Sequence, residues 1–359
     1  MRVLLDCRMA DWSGIGRYTT GLVRAIAARG DVEIVQLLAK EGAAPVADAI
    51  FLRANAHPFT PEGGLELGRV ARLTACDVTH CLHFPTPFPA RHPLVVTLHD
   101  LTPLMVPGTM QAFPHGLGYR IWNRRASRVA DRIITPSHFT ATDVERLFPA
   151  AAGKVRVTPE AADDLTTGPL APMPEDLGAF AGERYALSMG NTKPHKDLPT
   201  LLRAFESVAS VRPGLSLLLA GTDVPGYAAS VLGDSPAVSR VHFTGRVDDA
   251  VLRRLYADAA VFAFPSRYEG FGLPPLEAMG MGTPVVCADA TSLPEVVGDA
   301  ALLVPVGDAD ALARGLASVL DDGAVAARLV AAGRARAASF SWENTARDTL
   351  AVYREVLAR

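Results

Sequence analysis

The sequence predicts an α/β protein with two Rossmann-like, doubly wound domains. Short apolar runs, which are typical of buried parallel strands, alternate with amphipathic stretches that have the periodicity of helices. The alternation occurs in two series, separated by the turn-rich segment 161–178. The chain has 359 residues, of which 49% are hydrophobic, and this is more than one ordinary domain needs. We therefore expect one domain on each side of that segment.

The strands of the first domain are predicted at RVLLDC, VEIVQLL, VTHCLH, LVVTLHD and RIITPS. Those of the second domain are predicted at YALSMG, SLLLAG, VHFTG, VFAFPS, PVVCAD and ALLVP. Helical patterns such as YTTGLVRAIAARG lie between the strands and indicate βαβ units. Sheets of this kind bind ligands beyond the carboxyl ends of their strands, so the residues after each apolar run are candidates for chemistry.

The composition argues against several classes of protein. A formal net charge of −3 gives no global field that would attract nucleic acid. The four cysteines form neither a CxxC pair nor a Cys/His grid, which disfavours a disulfide framework or a zinc site. No signal-peptide layout follows Met1, and no run approaches the roughly 20 apolar residues of a membrane span. We expect a soluble, cytoplasmic protein whose partners are small or local.

Two groups of residues follow strands of the first domain. Gly14 and Gly16 are predicted in a loop before a helix that begins near Tyr18, where glycine allows backbone to approach an anion. The alternative is a tight turn, because the GxGxxG fingerprint lacks its third glycine. His99 and Asp100 end the apolar run LVVTLHD, where a histidine is either part of a site or a structural group.

A loop of the second domain carries a lysine. In YALSMGNTKPHKDLPTLLRAF the predicted strand ends at Gly190, and the loop after it brings Lys196 to the start of a helix. Lysine is a mobile point charge that is suited to phosphate, so this order favours a phosphate contact. The alternative is a solvated lysine in a polar loop.

The stretch EGFGLPPLE carries two glutamates around a double proline. Proline is tolerated at the start of a helix, so a helix is predicted from about Pro274 to Met279, with Glu277 on its first turn and Glu269 in the loop ahead. A glutamate in that position could simply complement the helix dipole. The alternative is a ligand cradle, since the intervening residues offer backbone amides: Gly270, Phe271, Gly272 and Leu273.

Together these motifs resemble the retaining glycosyltransferases of family 4, which have GT-B architecture, two domains facing an interdomain cleft, and a nucleotide-sugar donor. The resemblance covers nearly the whole chain and is strongest in SGIGRY, GNTKPHK, VHFTGRVDDAVLRRLYADA and E-GFGLPPL-E. It implies an acceptor-side domain over 1–165, a donor-side domain over 166–340, and a C-terminal helix over 341–359 that crosses back to the first domain.

The resemblance also implies roles for individual residues. Glu277 would hold the ribose hydroxyls, Glu269 and the amides after it would hold the donor sugar, and Lys196 would meet the diphosphate. Gly16 would approach the diphosphate from the first domain, and His99 would lie beside the transferred sugar. Backbone near Gly245 to Val247 would frame the base. The implied catalytic residues are Glu269, His99 and Lys196, and the implied donor-binding residues also include Gly190 and Asn191.

Asn191 departs from the family pattern, in which many members have arginine after the glycine. Lys193 or His195 could supply the missing interaction, and asparagine can itself donate hydrogen bonds. No DxD motif stands in a position that suggests help from a divalent ion, so we expect a metal-independent enzyme that needs no cofactor. Front-face attack by the acceptor, assisted by the leaving phosphate, is the expected mechanism.

Several alternatives stay open. The donor could be linked to GDP or UDP, and the hydroxyl acceptor could be a glycan, a lipid-linked glycan or a small product. A GT-B enzyme of another reaction, such as an epimerase or phosphorylase, or a noncatalytic nucleotide-sugar binding protein would share these motifs.

An arginine pattern points to a second kind of partner. Arg120, Arg124, Arg128 and Arg132 are spaced four apart in HGLGYRIWNRRASRVADR and are predicted on one helical stripe. Such a stripe could meet anionic lipid or a lipid-linked phosphate at the inner face of the membrane. The alternative is an ordinary solvated face.

Overall fold

A computed structural model describes residues 1–42, 44–46, 49–109, 115–189, 191–222 and 224–359. These residues form two units, which are described separately below. The first unit contains the described residues of 1–105, 110–161 and 341–359, and the second contains 106–109 and the described residues of 162–340. The boundary predicted after residue 165 falls inside a short helix, Asp163–Thr166, which belongs to the second unit.

In the described part of the first unit, seven strands form one parallel sheet in the order β3-β2-β1-β4-β5-β6-β7. The strands are β1 Arg2–Asp6, β2 Glu33–Leu38, β3 Ile50–Arg53, β4 Val78–Cys81, β5 Leu94–Thr97, β6 Arg132–Thr135 and β7 Val155–Val157. The helices that follow them are α1 Ser13–Arg29, α2 Pro61–Leu73, α3 Thr102–Met105, α4 His115–Val129 and α5 His138–Leu147, with a 3₁₀ turn at Pro149–Ala151.

In the described part of the second unit, six strands form a parallel sheet in the order β10-β9-β8-β11-β12-β13. The strands are β8 Tyr185–Met189, β9 Ser216–Ala220, β10 Val241–Phe243, β11 Val261–Phe264, β12 Val285–Ala288 and β13 Leu302–Val304. The helices are α6 Asp163–Thr166, α7 Leu198–Ser210, α8 Tyr227–Leu232, α9 Asp249–Asp258, α10 Leu273–Met281, α11 Leu293–Val297, α12 Ala309–Asp321 and α13 Gly323–Ala338. Among the described residues of this unit, 3₁₀ turns lie at Glu175–Phe180, Pro194–Lys196, Pro236–Arg240 and Gly298–Ala300.

Each sheet is doubly wound, as the apolar runs predicted. The inner strands are short and almost fully buried, because helices cover both faces of a parallel sheet, whereas the edge strands β3, β7, β10 and β13 are more exposed. The strand order reverses between β1 and β4 in the first sheet and between β8 and β11 in the second. A ligand crevice is expected outside the carboxyl ends of the strands at such reversals. Those two places therefore mark where each unit can bind a ligand.

The C-terminal helix α14, Trp342–Leu357, completes the first unit. Its buried Trp342 packs against α1 at Gly21, where a Cβ atom would collide with the indole. Near the other end of α14, Glu355 accepts hydrogen bonds from Arg132 and Arg156, which lower the pKa of Glu355 to about 2. Glycine at position 21 is thus required by the packing of the last helix.

The arginine stripe is shorter than predicted. α4 ends at Val129, so Arg132 lies in strand β6, where it is buried and bound to Glu355. The apolar character of RIIT and its place in the sheet outweigh the four-residue spacing. Arg120, Arg124 and Arg128 remain as exposed residues of α4. Within the described ranges, no helix is both long enough and apolar enough to cross a membrane.

Candidate functional site

A lysine and a glutamate meet at the strand reversal of the second sheet. Lys196, in the loop after β8, places Nζ 2.6 Å from Oε1 of Glu269, in the loop after β11. Ser266 donates its hydroxyl to the same oxygen over 2.6 Å. The Lys196 ammonium also lies 5.1 Å from the centre of the Phe264 ring. The structure therefore brings together two predicted site residues and adds Ser266, which the sequence analysis missed.

The two loops are also joined through their backbones. The Arg267 amide donates to the His195 carbonyl over 2.7 Å, and the Ser266 hydroxyl lies 3.0 Å from the same oxygen. Arg267 further pairs with Asp197, which directly follows Lys196 and has a left-handed φ of 49°. These contacts fix the lysine relative to the glutamate without a ligand.

The loop that carries Glu269 is held from behind by the residues before α11. Thr291 accepts from the Glu269 amide over 3.0 Å, and Ser292 donates to the carbonyls of Glu269 and Phe271 over 2.9 and 2.6 Å. Thr291 has a φ of 52°, which is unusual for a β-branched residue. Residues with such strained backbone conformations cluster at functional sites. Sequence reasoning missed both residues, because nothing local in ADATSLPE connects them to a loop more than 20 positions earlier.

Glu277 occupies a different position from the predicted one. Helix α10 begins at Leu273, so Glu277 lies on its second turn, and the prediction of a first-turn position is wrong. Gly272 makes the earlier start possible, because its φ of 126° is strained for other residues and a Cβ there would lie 2.8 Å from Leu293. Glu277 is 3% exposed and accepts a hydrogen bond from the Tyr256 hydroxyl over 2.9 Å.

The start of α10 leaves backbone donors available. Among the described residues, no side chain caps this terminus, and its first turn carries no acidic residue. The first amides of a helix have no intrahelical acceptor and attract anions, but Pro274 and Pro275 carry no N–H, so the donors at this start are the amides of Gly272 and Leu273. The predicted amide donors around Gly272 and Leu273 thus lie at a helix start, directly after the Lys196–Glu269 pair.

Other predicted donor-side residues have local roles. The Asn191 side chain accepts from the Lys193 amide over 3.1 Å and so shapes the loop before Lys196. Val247 packs at the edge of the second unit's core, two residues after Gly245, whose carbonyl accepts from the Gly221 amide over 3.1 Å. Gly190 lies outside the described residues.

The glycines of the first unit are helical rather than part of a preceding loop. Helix α1 begins at Ser13, so the predicted start near Tyr18 is wrong. The Gly16 amide donates to the Trp12 carbonyl, and a Cβ at Gly16 would collide with the Ala10 carbonyl. A Cβ at Gly14 would meet no described atom within 4 Å. Packing against Ala10 explains glycine at position 16, and its approach to a diphosphate stays a prediction.

His99 lies after β5 and is enclosed by protein groups. Its Nδ1 lies 2.9 Å from Glu160 Oε1 and its Nε2 lies 2.9 Å from the Leu82 carbonyl. The Tyr18 ring packs edge-on against it, with centroids 4.6 Å apart. Burial alone would lower the pKa of His99, but the hydrogen bond and charge of Glu160 outweigh it and raise that pKa. Glu160 is a further residue that the sequence analysis missed, 61 positions from its partner.

Comparison with known proteins assigns the chain to a family. The model described as Glycosyl transferases group 1 matches residues 172–336, and the model described as Glycosyltransferase Family 4 matches residues 12–164. O-antigen chain mannosyltransferase B of Escherichia coli is 37% identical over 235 residues, which are 63% of this chain and 61% of that relative. The chain thus spans less than two thirds of that relative's length.

A further relative and a solved structure match over nearly the full length. Alpha-maltose-1-phosphate synthase of Mycolicibacterium smegmatis is 30% identical over 381 residues, which are 97% of this chain and 96% of that protein. Sucrose-phosphate synthase from Thermosynechococcus elongatus has a similar fold, with a TM-score of 0.82, 23% identity and coverage of 100% and 99% of the two chains. The chain therefore belongs to glycosyltransferase family 4 and has the GT-B fold.

Proposed function

We propose that this chain is a glycosyltransferase that moves a sugar from a nucleotide-sugar donor to a hydroxyl acceptor, with retention at the anomeric carbon. The observation that carries this proposal is the contact of Lys196 with Glu269 at the strand reversal of the second sheet. The names of the similar proteins, a mannosyltransferase and a maltose-1-phosphate synthase, support sugar transfer as the reaction class.

The charges of this cluster suit the departure of a nucleoside diphosphate. Negative charge grows on the leaving phosphate while positive charge develops on the sugar ring. The Lys196 ammonium and the amides of Gly272 and Leu273 at the start of α10 can stabilise the phosphate without reorganisation during the reaction. Oε2 of Glu269 makes no hydrogen bond within the described residues and is available to a sugar hydroxyl. Glu277, oriented by Tyr256, would accept from the ribose.

The proposed step balances as a single displacement on one face of the sugar. The bond from the anomeric carbon to the diphosphate oxygen breaks, and its electron pair goes to the diphosphate. The acceptor oxygen forms a bond to the same carbon from the same face, and its proton passes to the departing phosphate oxygen. The protein supplies orientation and electrostatic stabilisation, and we propose that no metal ion is required.

Slow hydrolysis of the donor tests this proposal without knowledge of the acceptor. GDP- and UDP-linked hexoses are incubated with the protein, and early products are followed by proton NMR before the free sugar mutarotates. We expect release of the nucleoside diphosphate together with a sugar of unchanged anomeric configuration, at equal rates with and without EDTA. A sugar of inverted anomeric configuration would contradict retention. A rate of donor hydrolysis that falls in EDTA and is restored by magnesium or manganese would contradict metal independence. An epimerised nucleotide sugar, or a requirement for inorganic phosphate, would favour the other reactions.

We further propose that the exposed face of α4 contacts an anionic lipid surface. Leu117 and Ile121 are 48% and 57% exposed, next to the exposed Arg120 and Arg124. In the part of the chain that the structure describes, neither of these arginines forms an ion pair. Exposed apolar and basic side chains on one helix are typical of helices that lie at a membrane surface.

The double substitution Arg120→Gln, Arg124→Gln is expected to weaken binding to vesicles of phosphatidylglycerol and phosphatidylcholine by about 30-fold, since each arginine near such a surface contributes about 1 kcal/mol. Sedimentation with the vesicles measures this. The matched control is Arg314→Gln, Arg328→Gln, which removes two exposed arginines of the second unit. Equal loss in both variants, or equal binding to pure phosphatidylcholine, would mean that α4 is an ordinary solvated face.

A further inference from the structure

Both ring nitrogens of His99 face oxygen atoms that accept hydrogen bonds. The Leu82 carbonyl can only accept, so the 2.9 Å contact requires a proton on Nε2. On the other side Nδ1 lies 2.9 Å from Oε1 of Glu160, and His99 and Glu160 are 8% and 5% exposed. If Glu160 is ionised, Nδ1 must also carry a proton, and the ring is an imidazolium.

We propose that Glu160 is a positioning residue that holds His99 as an imidazolium in a fixed orientation. The pair lies in the first unit, at the carboxyl end of β5, and its two residues come from separate parts of the chain. Because both N–H bonds are directed at protein acceptors, the ring nitrogens of His99 do not act as a general base. Its contribution is a ring of fixed position, and this assignment rests on the proposed function.

The surroundings of the pair support the charged form. Burial and the charge of His99 lower the pKa of His80 to about 3 and lower the pKa of His83 well below its ordinary value. The Asp100 carboxylate, like Glu160, raises the pKa of His99. The titratable groups that face the ring from the packed elements are Tyr18, His80, His83, Asp100 and Glu160.

A second network secures His80, one of the two neutral partners. His80 contacts the Tyr353 hydroxyl of α14 through Nδ1 over 2.5 Å and the Thr97 hydroxyl through Nε2 over 2.8 Å. Thr97 lies 3.1 Å from the Tyr18 hydroxyl, and Tyr18 packs on His99. Tyr18 and His80, two of the groups that face the His99 ring, thus have positions that are set by hydrogen bonds.

Loss of the His99 proton has a definite consequence. With Nε2 still donating to Leu82, the lone pair of Nδ1 would face the Glu160 carboxylate, and this repulsion would displace the ring. Activity should therefore fall as pH rises through the raised pKa of His99. In Glu160→Gln the amide can donate to a neutral Nδ1, so the ring keeps its place and the alkaline decline disappears. In Glu160→Ala the ring is released, and kcat should fall by up to about 100-fold.

The test combines nitrogen NMR of the histidine rings with the pH profile of donor hydrolysis. In the unaltered protein we expect both His99 nitrogens to stay protonated above the ordinary histidine range, and in Glu160→Gln we expect a neutral ring at neutral pH. Asp131→Asn is the matched control, because His92 and Asp131 form a contact of similar length, 2.8 Å, in which the histidine side chain is 55% exposed. Asp131→Asn should change neither the protonation of His99 seen by NMR nor the pH profile of donor hydrolysis.

Two results would overturn the proposal. One is a His99 ring that loses its proton at the ordinary histidine pKa in the unaltered protein. The other is an alkaline decline of kcat that is the same in Glu160→Gln as in the unaltered protein. That result would indicate a merely structural glutamate, whose substitution changes the melting temperature but not the pH profile of kcat. The NMR result does not depend on turnover, so it stays decisive even if the proposed reaction is wrong.

Discussion

Lys196→Ala is expected to lower kcat for donor turnover by about 100- to 1000-fold, the loss typical when one group that stabilises a developing negative charge is removed. The lysine is the cation that the structure fixes beside Glu269, 2.6 Å from its Oε1. Without it, the Glu269 carboxylate would face the departing diphosphate with no positive charge between them. Steady-state kinetics at saturating donor measures the effect.

Lys193→Ala is the comparison for this prediction. Lys193 is an exposed lysine of the same loop, and its amide donates to Asn191. We expect its substitution to change kcat little. A loss as large as that of Lys196→Ala would mean that the charge of the whole loop matters, rather than the position of one ammonium group, and that Lys193 replaces the arginine found in many family members.

Substitution of the two glutamates is expected to have different effects. Glu277→Ala should weaken binding of the free nucleoside diphosphate by about tenfold to hundredfold, because a hydrogen bond to a charged group contributes about 1.5 to 3 kcal/mol. Glu269→Ala should lower kcat and leave nucleoside diphosphate affinity undiminished, since that ligand lacks the sugar and the substitution frees Lys196. Isothermal calorimetry with GDP and UDP, together with kinetics, separates the two effects.

Tyr256→Phe serves as the control for Glu277→Ala. Removal of Glu277 also leaves the buried Tyr256 hydroxyl without the acceptor at 2.9 Å, which costs stability as well as affinity. Tyr256→Phe removes the hydroxyl and keeps the carboxylate, so affinity should be largely retained. If Tyr256→Phe weakens the nucleotide as much as Glu277→Ala, or if Glu269→Ala weakens it most, the assigned roles are wrong.

The inner strands were predictable because a parallel sheet covered on both faces imposes continuous apolar runs, and VFAF and VVCA show this directly. The strands β3 and β7 were missed, because they lie at the two edges of the first sheet and are exposed or only half-buried. The start of α1 was misplaced, since the helix begins at Ser13 rather than near Tyr18, whereas α10 begins at Leu273, one residue before the predicted start at about Pro274. Glycine has low helix propensity, but Gly16 lies inside α1 because a Cβ there would collide with the Ala10 carbonyl. Tertiary packing outweighs local preference at this place.

The proximity of Lys196 and Glu269 was predictable from the strand that precedes each residue, whereas contacts without such a pattern were not, and the roles of these residues stay predictions. Lys196 and Glu269 each follow a strand, and this order signals a ligand contact. Glu160, Thr291 and Ser292 act on partners that are many positions away, and their neighbours in sequence show no trace of it. Contacts of this kind depend on the order of the strands in the sheet, and that order is not visible in the sequence around each residue.

The place of Trp342 beside Gly21 has a consequence for synthesis. About 320 positions separate the two residues, and a ribosome that adds roughly 5 to 20 residues per second needs about 15 to 65 seconds to cover them. Residues 162–340 emerge within that interval and can close their own sheet. The first unit, although its strands are made earliest, keeps the α1 surface around Gly21 uncovered until the last helix has left the ribosome. The half of the molecule that is translated first is therefore the half that is finished last.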